Sequence, residues 1–266
     1  MKKFFYSIPV SLILNILAVA LCYYYWSFIA IVLLSIFMIF YTEKALSWRK
    51  SNRKGNVFTS IYHFHESLNN NIFDDAKDYI SKHNKTDNAY HNNKHMIDVF
   101  NNSMTLFNEC LFIDERYKKE FNLTPNDQLN LGLAALFHDF NHSGGKLKDD
   151  ENIELALIAL KEYLDLTNKS DLYNDVKHII IATEFPHKDI KLDILQKIIR
   201  DADTMGGITE DWMSVVKSLA KELNKTFEEF IPSQINFLQS VKYNTDYCNQ
   251  LLANNKEKIL KELEQY

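Results

Sequence analysis

The stretch that most constrains this chain is residues 129–142. Leu129, Leu131, Leu133, Ala134, Ala135, Leu136 and Phe137 make an apolar run that only a core can accommodate. The run ends in His138-Asp139, and His142 follows four residues after His138. Any fold must therefore carry an imidazole and a carboxylate at the end of a buried helix. Imidazole nitrogen beside carboxylate oxygen suits a borderline or hard divalent ion such as Zn²⁺, Mn²⁺ or Mg²⁺. On a continuing helix His138 and His142 share a face. The pair alone is a weak signal, because a lone buried histidine is more often a hydrogen-bonded core residue.

The rest of the chain reads as helical. Six glycines and four prolines in 266 residues leave few turn signals, so the expected class is all-α. A formal charge of −5 makes no global case for nucleic-acid binding. Cys22, Cys110 and Cys248 lie far apart, which suits neither a disulfide framework nor a thiolate zinc site and fits a reducing cytosol.

Residues 4–41 are nearly free of charge and fall into two apolar runs separated by Cys22-Tyr23-Tyr24-Tyr25-Trp26-Ser27. A membrane-spanning helix needs ~20 mostly apolar residues, and Tyr and Trp sit well at the bilayer interface. Lys2 and Lys3 precede the runs, and Lys44, Arg49, Lys50, Arg53 and Lys54 follow them. Positive charge at both outer ends puts both on the cytoplasmic side. The expectation is a transmembrane helical hairpin over residues 1–42 in the inner membrane, with both termini cytoplasmic. A basic linker over 43–60 and a helical domain over 61–266 follow. A signal peptide is the poorer alternative, since a second apolar run follows at once.

Within the domain, His91 and His95 are four apart, and a helix running to about Phe112 would show both on one face. Thr124-Pro125 marks a helix start. Asp149-Asp150-Glu151 opens another, with acidic residues where the helix dipole favours them. Helices are expected over 171–184, stopped by Phe185-Pro186, and over 190–203. Thr209 is expected to cap the next, and the last run from about 233 to 261. His91 or His95, His138, Asp139, His142 and one of Asp201 or Asp203 then stand as metal-ligand candidates. A bundle can gather such residues in its core. The chemistry that needs the set is phosphate-ester hydrolysis, in which two metals ~4 Å apart activate water and a spare acid protonates the leaving oxygen.

The motifs resemble those of the HD-domain superfamily, and specifically the class I 3′,5′-cyclic-nucleotide phosphodiesterase catalytic domain, over residues 60–250. Tyr90-His91-Asn92 with His95 and Asp98-Val99 is similar to the family's YHNxxHxxDV. His138-Asp139 with His142 and Gly144 is similar to HDxxHxG. Glu151-Asn152 with Leu155-Ala156, Ile181-Ala182-Thr183-Glu184, Ala202-Asp203 and Ser233-Gln234 with Phe237 resemble further family motifs in the same order.

The resemblance implies a phosphodiesterase that hydrolyses cAMP or cGMP to the 5′-monophosphate. His91 would protonate the leaving O3′. His95, His138, Asp139 and Asp203 would hold the tighter metal, Zn²⁺, with Asp139 bridging to Mg²⁺ or Mn²⁺. His142 and Thr183 would bond the waters around the metals, and Glu151 would orient the bridging hydroxide or polarise His91. Gln234 would hydrogen-bond the purine edge and Phe237 stack on its face. Plainer readings stand beside these. Gln234 could be a surface amide, Phe237 a core ring and Glu151 a dipole residue, with Glu154 its rival and Asp201 the rival of Asp203. Trp212 could wall the pocket. The stretch between Gly144 and Glu151 is shorter than in animal members of the family. Another HD-type nucleotide phosphohydrolase is therefore the first alternative, and a non-catalytic nucleotide sensor the second. Homodimerisation through the hairpin or the C-terminal helices stays open.

Overall fold

The computed structural model describes residues 72–112 and 123–266, and among these every regular element is helical. The all-α expectation therefore holds for the described residues. The hairpin over 1–42 and the linker over 43–60 lie outside them. Among the described residues no helix is long and apolar enough to cross a membrane.

In chain order the helices are α1 Ile72–His83, α2 Asn93–Phe112, α3 Pro125–Phe137, α4 Asp149–Leu166, α5 Tyr173–Ile180, α6 Ile194–Thr204, α7 Trp212–Glu222, α8 Phe227–Ser240 and α9 Asp246–Leu263. The apolar run becomes α3. Thr124 caps it by accepting from Asp127 N, while the Asp127 carboxylate accepts from Thr124 N at 2.7 Å. From Leu131 to Phe137 no side chain of α3 reaches solvent. A helix apolar on all sides must be wrapped on all sides, and α3 packs against α1, α2, α4, α5 and α6. Gly132 permits the approach of α1. A Cβ there would stand 2.4 Å from the Phe73 ring on α1. Phe73 in turn meets Phe100 of α2 edge-on, at 5.0 Å between ring centroids.

Local cap chemistry sets several boundaries that differ from the sequence expectation. Helix α5 ends at Ile180 and tightens into a 3-10 turn, Ile181–Thr183. Arg200 of α6 holds that region, its Nε donating to Ala182 O at 2.6 Å and Nη1 to Lys188 O at 3.2 Å. Helix α6 starts at Ile194 rather than 190, because Asp193 is the cap that accepts from Gln196 N at 2.9 Å. Thr209 does not cap α7. Its hydroxyl donates to Gly206 O at 3.0 Å, and the helix begins three residues later at Trp212. Helix α8 begins at Phe227 with a Thr226–Glu229 capping box and runs through Pro232, well before residue 233.

Candidate metal centre

Helices α2, α3 and α6 meet at one end of the core and bring four ligand-type side chains together. His95 sits in the first turn of α2 and His138 caps the end of α3. Asp139 follows in the turn, and Asp203 lies in the last turn of α6. One ligand atom from each lies within 4.8 Å of all the others. His95 Nε2 is 3.1 Å from Asp203 Oδ1 and 3.2 Å from Asp139 Oδ2. His138 Nε2 is 3.1 Å from Asp139 Oδ2 and 3.5 Å from Asp203 Oδ1. The four residues named from sequence as metal ligands are thus gathered at one point.

The atoms themselves fit a metal. His138 Nδ1 lies 2.9 Å from Ala135 O. A carbonyl can only accept, so Nδ1 carries a proton and in the neutral ring Nε2 turns its lone pair inward. Among the described residues, His138 Nε2 and Asp139 Oδ2 are buried side-chain atoms without a hydrogen-bond partner. Burial without a partner costs free energy, and a cation between these atoms would satisfy both. Two imidazoles and two carboxylates form a donor set for a borderline or hard divalent ion.

Electrostatics follow from that crowding. Burial pushes the His138 pKa down, but Asp139 and then Asp203 raise it well above the ordinary imidazole value. His95 is raised by the same two carboxylates against the same burial. Asp139, although buried, is held well below the carboxylate range by His138, His91 and His95, and Asp203 is lowered by His138 and His95. Tyr90, whose ring lies 4.4 Å from that of His95, is pushed well above its ordinary pKa by burial and then by Asp203 and Asp139.

A second group flanks the first. His91 precedes α2 rather than lying on it, so it does not share a helix face with His95. The two rings stand 5.7 Å apart and nearly perpendicular. His91 Nδ1 makes a short contact with Glu222 Oε1. Glu222 Oε2 accepts from Tyr90 N at 2.8 Å and His91 N at 2.9 Å. Sequence reasoning missed Glu222, which carries no motif and ends α7. The carboxylate on His91 is Glu222, not Glu151. Glu151 is exposed, and its Oε2 accepts from Lys148 N at 2.9 Å, capping its own helix.

His142 likewise does not continue α3. Asn141 takes a left-handed backbone with φ 59°, which turns the chain away. The His142 ring stacks on His91 at 3.9 Å. Its Nδ1 accepts from Gly144 N at 3.1 Å, so in the neutral ring the proton sits on Nε2. That nitrogen is 3.9 Å from Asp149 Oδ1, a second carboxylate that no motif singled out. His91, His142 and Glu222 are close enough to hold an ion, but Nδ1 of each ring is already engaged. The trio is better equipped to donate protons and hydrogen bonds.

Asp201 and Asp203 are two apart on α6 and so face opposite sides. Asp201 turns to the start of α9, where its carboxylate accepts from Asn244 N at 3.0 Å and Thr245 Oγ1 at 2.8 Å. Thr183 is buried, its hydroxyl donating to Ile180 O at 2.8 Å. Gln234 is buried on α8, and its Nε2 donates to Gly207 O at 3.0 Å. Phe237 closes over the same glycine, where a Cβ would come within 3.2 Å of its ring. Gln234 is therefore no surface amide. Trp212 is a buried core residue whose indole N–H donates to Glu262 at 3.0 Å. No family model matches this chain, and no curated protein matches it either.

Proposed function

We propose that the chain is a metal-dependent phosphohydrolase of the HD type, acting on a 3′,5′-cyclic purine nucleotide. The observation that carries this reading is the His91–Glu222 pair beside the four-ligand cluster, which puts an oriented imidazole next to a place for a divalent ion. Bound there, Zn²⁺ with Mg²⁺ or Mn²⁺ would polarise the phosphoryl group and supply an activated water. The chain's own residues do the rest. Glu222 orients His91 by accepting from Nδ1, leaving Nε2 to deliver a proton to O3′ as the P–O3′ bond breaks. His142 offers its Nε2–H to the phosphoryl oxygens or their waters.

Gln234 and Phe237 supply a base site. Because Gly207 O can only accept, it holds the NH₂ end of Gln234 and leaves Oε1 free to accept from a purine edge. Phe237 offers a ring face beside it. Residues 1–42 are proposed to anchor the domain to the inner membrane as a two-helix hairpin with the catalytic domain in the cytoplasm. A second reading, another nucleotide phosphate as substrate, is favoured by the short exposed segment 145–148, which offers little wall for a pocket.

The test is hydrolysis by the purified full-length chain with Mn²⁺ or Mg²⁺. Substrates are cAMP, cGMP and cyclic dinucleotides, with Asp139→Ala as control. Turnover of a cyclic mononucleotide, lost in the control, supports the proposal. Turnover of another phosphate ester alone supports the second reading.

A further inference from the structure

We propose that Asp149 is a positioning residue of this site, its carboxylate fixing the edge at which His142 presents an N–H. The inference rests on the phosphohydrolase reading, in which that N–H serves the phosphoryl oxygens. It gives a role to a residue that no motif marks. The first turn of α4 closes back on the chain just past the cluster. Ser143 N donates to Asn152 Oδ1 at 2.9 Å. Asp149 stands three residues before Asn152, so the two share a helix face. Asp149 Oδ1 is 3.9 Å from His142 Nε2, and Oδ2 accepts from Phe185 N at 2.6 Å. One half-buried carboxylate thus faces two nitrogens, one with each oxygen. At 3.9 Å the contact with His142 is electrostatic rather than a hydrogen bond, which leaves the N–H available to a ligand.

The other restraints on His142 are weaker at that edge. Its backbone O accepts from Asn88 Nδ2 at 2.7 Å, and its ring stacks on His91 with 26° between the planes. Stacking survives when the proton changes nitrogen. The Gly144 N–H at Nδ1 and the Asp149 charge at Nε2 both select the Nε2–H form. Each of the two stacked imidazoles therefore has its own carboxylate, Glu222 at Nδ1 of His91 and Asp149 at Nε2 of His142. An amide in place of Asp149 cannot serve both sides. Its single oxygen is claimed by Phe185 N, and its NH₂ then faces Nε2 and favours a lone pair there.

The test uses the full-length chain as Asp149→Asn and Asp149→Ala. The His142 tautomer is read from ring nitrogen shifts of the metal-free chain with ¹⁵N-labelled histidine at pH 8, the signals being those missing in His142→Gln. Melting temperature, Mg²⁺ content, and kcat and KM of the Mg²⁺-loaded chain are measured beside it. The unsubstituted chain is expected to carry the proton on Nε2. In Asp149→Asn the Nδ1–H form should become the main one, with metal content and melting temperature unchanged and kcat lowered roughly tenfold at similar KM. Asp149→Ala, which also frees Phe185 N, should lose melting temperature as well. A role confined to pinning Phe185 predicts that Asp149→Asn, which keeps an acceptor, matches the unsubstituted chain. An unchanged tautomer in Asp149→Asn overturns the proposal whatever kcat does, and so does an Nδ1 proton in the unsubstituted chain. If the tautomer moves but the unsubstituted chain turns over no nucleotide phosphate, the phosphohydrolase reading fails and the positioning of His142 by Asp149 stands.

Discussion

Stripping divalent metal from the full-length chain should lower its melting temperature by about 5–10 °C. The reason lies in the cluster of His95, His138, Asp139 and Asp203. Without a cation, His138 Nε2 and Asp139 Oδ2 make no well-directed hydrogen bond, and their mutual approach at 3.1 Å only partly offsets their burial. A metal present at a hundredfold over its Kd stabilises the folded state by ~2.7 kcal/mol. For a domain of roughly 150–250 residues each kcal/mol moves the midpoint by about 2–4 °C.

The pH dependence has a definite sign. His95 and His138 have raised pKa values in the metal-free chain. Their contribution to its stability is complete below the ordinary imidazole value of ~6.5 and is lost as pH rises through the raised values. Asp139 and Asp203 are lowered. Their contribution is present above the ordinary carboxylate range and is lost as pH falls through the lowered values. A metal must displace the imidazole protons, so its stabilising effect grows with pH. Thermal unfolding with chelator and with Mn²⁺, at pH 5.5 and pH 8, reads this directly. A metal-induced shift that is absent, equal in Asp139→Ala, or larger at pH 5.5 than at pH 8 would refute the reasoning.

Two further outcomes follow from the hydrogen bonds. Glu222→Gln should lower kcat by about 10–100-fold with metal content unchanged, because it replaces the carboxylate that orients His91; steady-state kinetics beside metal analysis checks this, and a drop under threefold counts against the pair. Asp201→Ala should cost about 3–4 kcal/mol in chemical denaturation, since four donors from Asn244 and Thr245 lose their acceptor in a buried site, and a loss under ~1 kcal/mol would contradict that account.

What sequence determined here is local or periodic. The apolar run of residues 129–137 had to become the buried axis, because no other environment tolerates it. Thr124-Pro125 set its start through contacts within one turn. The residues alone offered His91 or His95, His138, Asp139, His142 and one of Asp201 or Asp203 as ligands, and the resemblance of motifs narrowed these to His95, His138, Asp139 and Asp203, with Asp201 left as a rival. Only tertiary packing chose between those two aspartates, since two positions on one helix face opposite ways and the choice depends on which side meets α2 and α3. The same holds for the partner of His91. Glu222 lies 131 residues away in sequence, and no rule linking near neighbours reaches that far. Glu151 carried the motif, but its backbone claimed the carboxylate for a helix cap. His91 and His142 were displaced from shared helix faces because α2 begins after one and α3 ends before the other. Periodicity names which side chains can share a face; where a helix stops, and what it stops against, is decided by the packed core.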